Sequence, residues 1–153
     1  MKHPYSTDAL EIRLGLEAGV VEPSEVIVWA DRILEIHDYN DDVANVALAT
    51  NASRKEMISV LAPLIGPGEE WGAARKTLGR MHQALLDDPS RAHDFTRFLE
   101  SFWIRHGYNV PADMSFMAGI EDEFQLAEDD VHGTIEDATQ SLAEALARFN
   151  GKK

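Results

Sequence analysis

The chain contains no cysteine, and this absence removes several kinds of chemistry. Without a thiol there can be no disulfide, no thiolate nucleophile and no zinc–thiolate site. Also missing is an apolar run of roughly 18 residues, the length that a membrane helix requires. The segment Met1–Tyr5 carries a charge but no apolar run follows it. We therefore expect neither a membrane span nor a signal peptide, and we expect a reducing, cytoplasmic location.

Recognisable motifs of catalysis and cofactor binding are missing too. The chain has no Gly-x-Ser-x-Gly motif, no P-loop, no calcium loop and none of the Glu-x-x-His pairs of di-iron bundles. Glu128 and Asp129 are spaced so that either could share an ion with His132 on a continuous helix. Gly133 follows directly and indicates a helix end. We predict no catalytic residues, no metal site and no cofactor.

Lys and Arg are absent from residues 111–147, although this segment carries ten carboxylates. The whole chain has a net charge of −13, so most of the imbalance lies in its last third. An acidic field repels nucleic acid and anionic membranes, and it attracts cations or a basic partner. We predict that neither nucleic acid nor membrane is a partner. A solvated surface that only keeps the protein soluble is the alternative explanation of the same charge.

The densest carboxylates form two clusters, Glu121-Asp122-Glu123 and Glu128-Asp129-Asp130. Seven residues separate Glu121 from Glu128 and likewise Glu123 from Asp130, so on a straight helix each pair lies on one face. Like charges so close cost roughly a few tenths of a kcal/mol per pair, and a cationic partner relieves that cost. We predict that these six residues bind a basic protein partner.

Apolar residues recur at spacings of three and four along the whole chain, which predicts helices rather than strands. Pro23 suits the first turn of a helix, and Thr134 is a typical cap residue. Ser53 with Glu56 three residues later forms a capping box. The sequence therefore predicts an all-α, single-domain bundle of six to eight helices over residues 1–153.

The strongest candidate for a hinge lies near residues 108–111. The residue before a proline avoids the α region, so Tyr108-Asn109-Val110-Pro111 is expected to be extended. Beyond this connection, the spacing of four apolar residues predicts one helix that runs through Gly119: Met114, Met117, Ile120 and Phe124.

The early part of the chain carries a run of residues, Leu10–Val21, that is followed by Pro23–Ile27 and Trp29-Ala30-Asp31. This pattern of helix, Gly stop, Pro start and Trp-Ala-Asp turn resembles the opening helical hairpin of small bacterial proteins of uncharacterised or immunity type, and the resemblance covers residues 10–48, about a quarter of the chain. Glu22 departs from the small capping residue of that pattern. The resemblance implies a cytoplasmic protein that binds and neutralises a cognate toxin.

Two hypotheses of function follow. The first is a non-catalytic, immunity-type inhibitor whose acidic segment docks on a basic protein such as a toxin. The alternative is a small helical enzyme or metal-binding protein that uses carboxylate and His ligands. The missing ligand spacing favours the binding protein.

Overall fold

The computed structural model describes residues 4–66, 70–131 and 133–150, and within these ranges the protein is helical with no strand. None of the helices there is long and apolar enough to cross a membrane. Eight α-helices in the described part of the chain confirm the predicted all-α class: α1 (Ser6–Ala18), α2 (Pro23–Ile36), α3 (Asp41–Ala47), α4 (Arg54–Leu61), α5 (Trp71–Asp87), α6 (Ala92–Arg105), α7 (Ile120–Glu128) and α8 (Ile135–Ala147). Three 3₁₀ segments accompany them: Ala62–Leu64, Pro89–Arg91 and Ala112–Met117.

Several helices begin where local chemistry predicts. Ser53 Oγ accepts from the amide of Glu56 at 3.2 Å, and the Glu56 carboxylate accepts from the amide of Ser53 at 3.3 Å, which completes the capping box. Thr134 Oγ1 accepts from the amide of Asp137 at 3.0 Å and caps α8. Pro23 is the first residue of α2, where its missing N–H costs nothing. These predictions are confirmed.

The single helix expected from Met114 to Phe124 is wrong. Residues Ala112–Met117 form a 3₁₀ segment, and α7 starts only at Ile120. Gly119 lies between them with φ 82°, a left-handed conformation that glycine adopts without a steric cost. The glycine is therefore the N-cap residue of α7 and not an interior helix residue.

The fold divides into two compact units, Met1–Thr77 and Leu78–Lys153, and the boundary falls inside α5. In the first unit, the core is formed by buried apolar side chains from α1 to α4 and the 3₁₀ segment after α4: Ala9, Leu16, Val26, Ala30, Val43, Val46, Met57, Leu61 and Leu64. Tyr5 and Trp29 pack against this core, and their rings meet edge to face at 6.5 Å. The single domain over residues 1–153 stays a prediction.

Arg54, the first residue of α4, holds the connection between α1 and α2. Its Nη1 donates to the carbonyl oxygens of Leu16 at 3.2 Å and Val21 at 2.5 Å. Its Nη2 lies 2.7 Å from a carboxylate oxygen of Glu22. The Leu16 carbonyl belongs to the last turn of α1 and the Val21 carbonyl to the connection that follows, so the guanidinium joins the helix end to this connection and neutralises Glu22.

In the second unit, the aromatic side of α6 packs on α7, α8 and the 3₁₀ segment before α7. The buried apolar side chains of these elements are Phe95, Leu99, Phe102, Met114, Met117, Phe124, Leu142 and Leu146. Their spacing of three and four along each helix is the pattern that predicted helices.

The connection after α6 departs from helical geometry at two consecutive residues. Gly107 and Tyr108 both have φ 65°. The amide of Tyr108 donates to the carbonyl of Trp103 at 3.0 Å, and the amide of Gly107 donates to that of Ile104 at 2.9 Å, which forms a Schellman end. The Tyr108 ring lies 4.7 Å from the Trp103 ring. The expectation that Tyr108 is extended is wrong, because its left-handed backbone completes the end of α6. The hinge near residues 108–111 stays a prediction.

Gly79 in α5 allows a close backbone approach within the second unit. A Cβ at this position would overlap the carbonyl oxygen of Phe149, whereas a Cβ at Gly72 in the same helix would meet nothing within 4 Å. We expect Gly79→Ala to lower the free energy of unfolding by about 1–3 kcal/mol, as overpacking does. Denaturation in urea, followed by far-UV circular dichroism, measures the change.

Gly72→Ala is the matched control for this prediction. Alanine gains helix propensity at both positions, up to about 1 kcal/mol in the helix interior at Gly79 and less in the first turn at Gly72, so a loss of stability at Gly79 alone reports the packing. We expect the control to be neutral or stabilising. Equal stabilisation by the two substitutions would contradict the close approach at Phe149.

Candidate functional site

The predicted site residues lie on and just after α7, which packs against α6 within the second unit. His93 of α6 lies between two of them. Its Nδ1 is 2.9 Å from Oε1 of Glu128, and its Nε2 is 3.7 Å from Oε1 of Glu121. Because both carboxylates contact one ring, the prediction that Glu121 and Glu128 share a face of the helix is confirmed.

The contacts of His93 indicate which ring nitrogen carries the proton when the ring is neutral. A carboxylate only accepts hydrogen bonds, so the proton of a neutral ring lies on Nδ1, toward Glu128. The Nε2 atom is buried and has no hydrogen-bond partner among the described residues. On a protonated ring, the second N–H would therefore face Glu121. The ring also stacks on Phe124, with centroids 5.2 Å apart and planes 15° apart.

Glu121 has a further partner inside the fold. Thr96 is buried on α6, and its hydroxyl lies 2.8 Å from Oε2 of Glu121 and 2.8 Å from the carbonyl oxygen of His93. The Glu121 side chain is only 18% exposed. We call Glu121 and Glu128 the inner carboxylates, since both contact the His93 ring of α6. No sequence signal pointed to His93 or Thr96 as their partners, because helix packing creates these contacts.

The other four predicted site residues are exposed, as Glu128 is, but they do not contact His93. We call them the outer carboxylates: Asp122, Glu123, Asp129 and Asp130. Asp122 and Glu123 lie in the first turn of α7, where the helix dipole stabilises a negative charge. Asp129 accepts from the side-chain amide of Gln125 at 3.2–3.3 Å. None of the four makes an ion pair with a residue that the structure describes.

The end of α7 corrects one prediction about these residues. The helix stops at Glu128, and Asp130 follows it with φ 56°. The amide of Asp130 donates to the carbonyl of Ala127, and the amide of Val131 donates to that of Leu126, which closes a Schellman end. Asp130 is therefore not part of a straight helix. The prediction that Glu123 and Asp130 share one face of a helix is wrong.

The same region was the candidate for a metal site that uses carboxylate and His ligands. Over the described ranges, no group of three or more His, Asp or Glu side chains is placed to hold an ion. His132, the candidate nitrogen ligand next to Glu128 and Asp129, lies outside the described residues.

Comparison with known protein families, with curated proteins and with solved structures found no match for this chain. The resemblance of its first helices to immunity-type proteins stays a prediction.

The inner and outer carboxylates differ in what they contribute to stability. We expect Glu121→Gln to lower the free energy of unfolding by about 1–2 kcal/mol, because hydrogen bonds to a charged group contribute more than those to a neutral one. Glu123→Gln is the matched control, since it removes a charge from the same first turn and leaves the Thr96 and His93 contacts intact. Urea denaturation of both variants measures the difference. Equal losses would mean that only the helix dipole matters.

Proposed function

We propose that this protein is a non-catalytic binding protein whose outer carboxylates dock on a basic surface of another protein. The observation that carries the proposal is the placement of Asp129 and Asp130 directly after the last residue of α7. The aligned peptide dipoles give the C-terminal end of a helix a partial negative charge, which repels two further carboxylates. A cationic partner removes this repulsion.

The surrounding sequence supports the same direction. Residues 111–147 contain no Lys or Arg, so basic side chains from this segment cannot compensate the outer carboxylates. Charges at the rim of an interface mainly raise the association rate by electrostatic steering. A fast, salt-sensitive association with a basic protein is therefore the expected behaviour.

A toxin is the partner class that the resemblance of residues 10–48 implies. Toxins that act on nucleic acid carry basic clefts, and an acidic protein of this size can cover such a cleft by charge complementarity. The proposed role is then that of an inhibitor that blocks the cleft without performing chemistry itself.

Neutralising the outer carboxylates tests the proposal. The partner is first recovered by co-purification from the native host. We expect the variant Asp122→Asn, Glu123→Gln, Asp129→Asn, Asp130→Asn to keep its fold, since none of these side chains contacts the core. Its association with the recovered partner becomes slower, and the dependence of the association rate on ionic strength becomes weaker. Stopped-flow measurements over a series of salt concentrations give both quantities.

A second variant with the same change in net charge is the control. It neutralises four exposed carboxylates of the first unit: Asp31, Glu35, Asp38 and Asp41. We expect it to keep most of the salt dependence. Identical salt dependence of the first variant and the wild type would mean that the outer carboxylates interact only with solvent, and the proposal would fail.

A further inference from the structure

An apolar groove of about 470 Å³ lies within the second unit, and neither the inner nor the outer carboxylates line it. One wall is the last turn of α5 with Leu85 and Leu86, continued by Pro89 and Ser90. The other wall is α8. We call this feature the α5–α8 groove.

The wall contributed by α8 is regular. Ile135, Thr139 and Ala143 line the groove at intervals of four residues, so they form one row along the helix. At 1.5 Å per residue, this row is about 12 Å long, which corresponds to a little over two helical turns. Leu86 and Ile135 are large apolar side chains that remain 56% and 49% exposed. The groove is thus an elongated apolar surface rather than a compact pocket.

The shape and chemistry of the walls indicate a helical occupant. The long wall is α8, and the backbone groups in the interior of this helix already bond within it. An extended peptide would find no row of backbone donors and acceptors along this wall, so the groove does not support addition of a strand. A helix satisfies its own backbone and can present apolar residues at spacings of three and four to a groove of this length.

Three carboxylates either line the groove or bond to a residue that lines it, and we call them the acidic rim. Glu136 lines the groove directly. The carboxylate of Asp88 accepts from the hydroxyl of the lining residue Ser90 at 2.6 Å. The carboxylate of Glu144 accepts from the side-chain amide of the lining residue Gln140 at 3.4 Å. Lys and Arg are absent from the lining residues.

Charge complementarity decides between possible occupants. Arg91 is the basic residue next to the lining residue Ser90 in sequence. Its guanidinium lies 5.1 Å from the centre of the Phe95 ring, in a cation–π contact. A second copy of this chain that docked symmetrically through the same groove would bring another acidic rim against Asp88, Glu136 and Glu144, which repels it. A helix with Lys or Arg beside its apolar face matches the rim instead.

We propose that the α5–α8 groove binds an amphipathic helix of the partner, whose apolar residues fill the groove and whose flanking Lys or Arg residues meet the acidic rim. This inference rests on the proposed function, and it adds a second contact that is separate from the outer carboxylates. It also states what recognises the partner: apolar periodicity together with positive charge.

Synthetic peptides test this inference without knowledge of the partner. The probe is a Leu/Lys peptide of about 18 residues, long enough to form a helix, with Leu at helical spacing. A permuted peptide of the same composition has no apolar face, and a Leu/Glu peptide has the face without the positive charge. We expect the first peptide to bind the wild-type protein at least tenfold more tightly than either control, as measured by fluorescence anisotropy.

Protein variants locate the binding. Leu86→Gln with Ile135→Gln removes the exposed apolar side chains of the groove, and we expect at least tenfold weaker binding of the Leu/Lys peptide. Ile104→Gln with Leu126→Gln alters exposed apolar residues of α6 and α7, and we expect it to leave binding unchanged. Circular dichroism verifies that both variants fold.

Each contrary outcome overturns the inference. Equal binding of the permuted peptide would mean attraction by charge alone, and equal binding of the Leu/Glu peptide would exclude a basic helix. Self-association of the wild type that Leu86→Gln with Ile135→Gln abolishes would make a second copy the occupant. If the groove variant binds the peptide normally while the outer carboxylates still govern the salt dependence with the recovered partner, the groove fails and the proposed function stands.

Discussion

Accommodating 27 carboxylates with only 14 Lys and Arg side chains is the constraint on which the structure depends. A carboxylate drawn toward the interior needs a charged or hydrogen-bonding partner, because burying it alone is costly. In the first unit, the partner is an arginine: Arg13 forms an ion pair with Glu70. In the second unit, Glu121 instead meets a His ring and a buried hydroxyl. Carboxylates without such partners remain at the surface of each unit.

The features that the sequence predicts well are those that depend on neighbouring residues. The capping box at Ser53 uses atoms three residues apart, so its chemistry is visible in the sequence. Apolar spacing does not report backbone dihedral angles, which is why the helix expected through Gly119 proved to be two segments. The shared face of Glu121 and Glu128 followed from a period of seven, but the partner on that face could not be predicted. His93 reaches them through the packing of α6 on α7, and this packing cannot be predicted from the spacing of residues along the chain.

The two proposed contacts of the second unit have different physical roles. Charges such as those of Asp129 and Asp130 act over about 8–10 Å at physiological salt and orient an approaching partner before it touches the surface. The α5–α8 groove acts only on contact, since apolar burial requires that water be expelled. The first kind of contact governs how fast a complex forms, and the second governs how long it lasts. Together they would distinguish a basic partner that carries a suitable helix from the many basic proteins that do not.

The left-handed residue at the end of α7 has a consequence for attempts to stabilise this protein. Gly19 occupies the equivalent position after α1, with φ 82°. Asp130 adopts φ 56° with a side chain that costs on the order of 1 kcal/mol relative to glycine. A design procedure that optimises folding alone would replace Asp130 by glycine and would gain stability. It would also delete one of the charges that the proposed partner meets, so thermal stability is a misleading criterion for improving this surface.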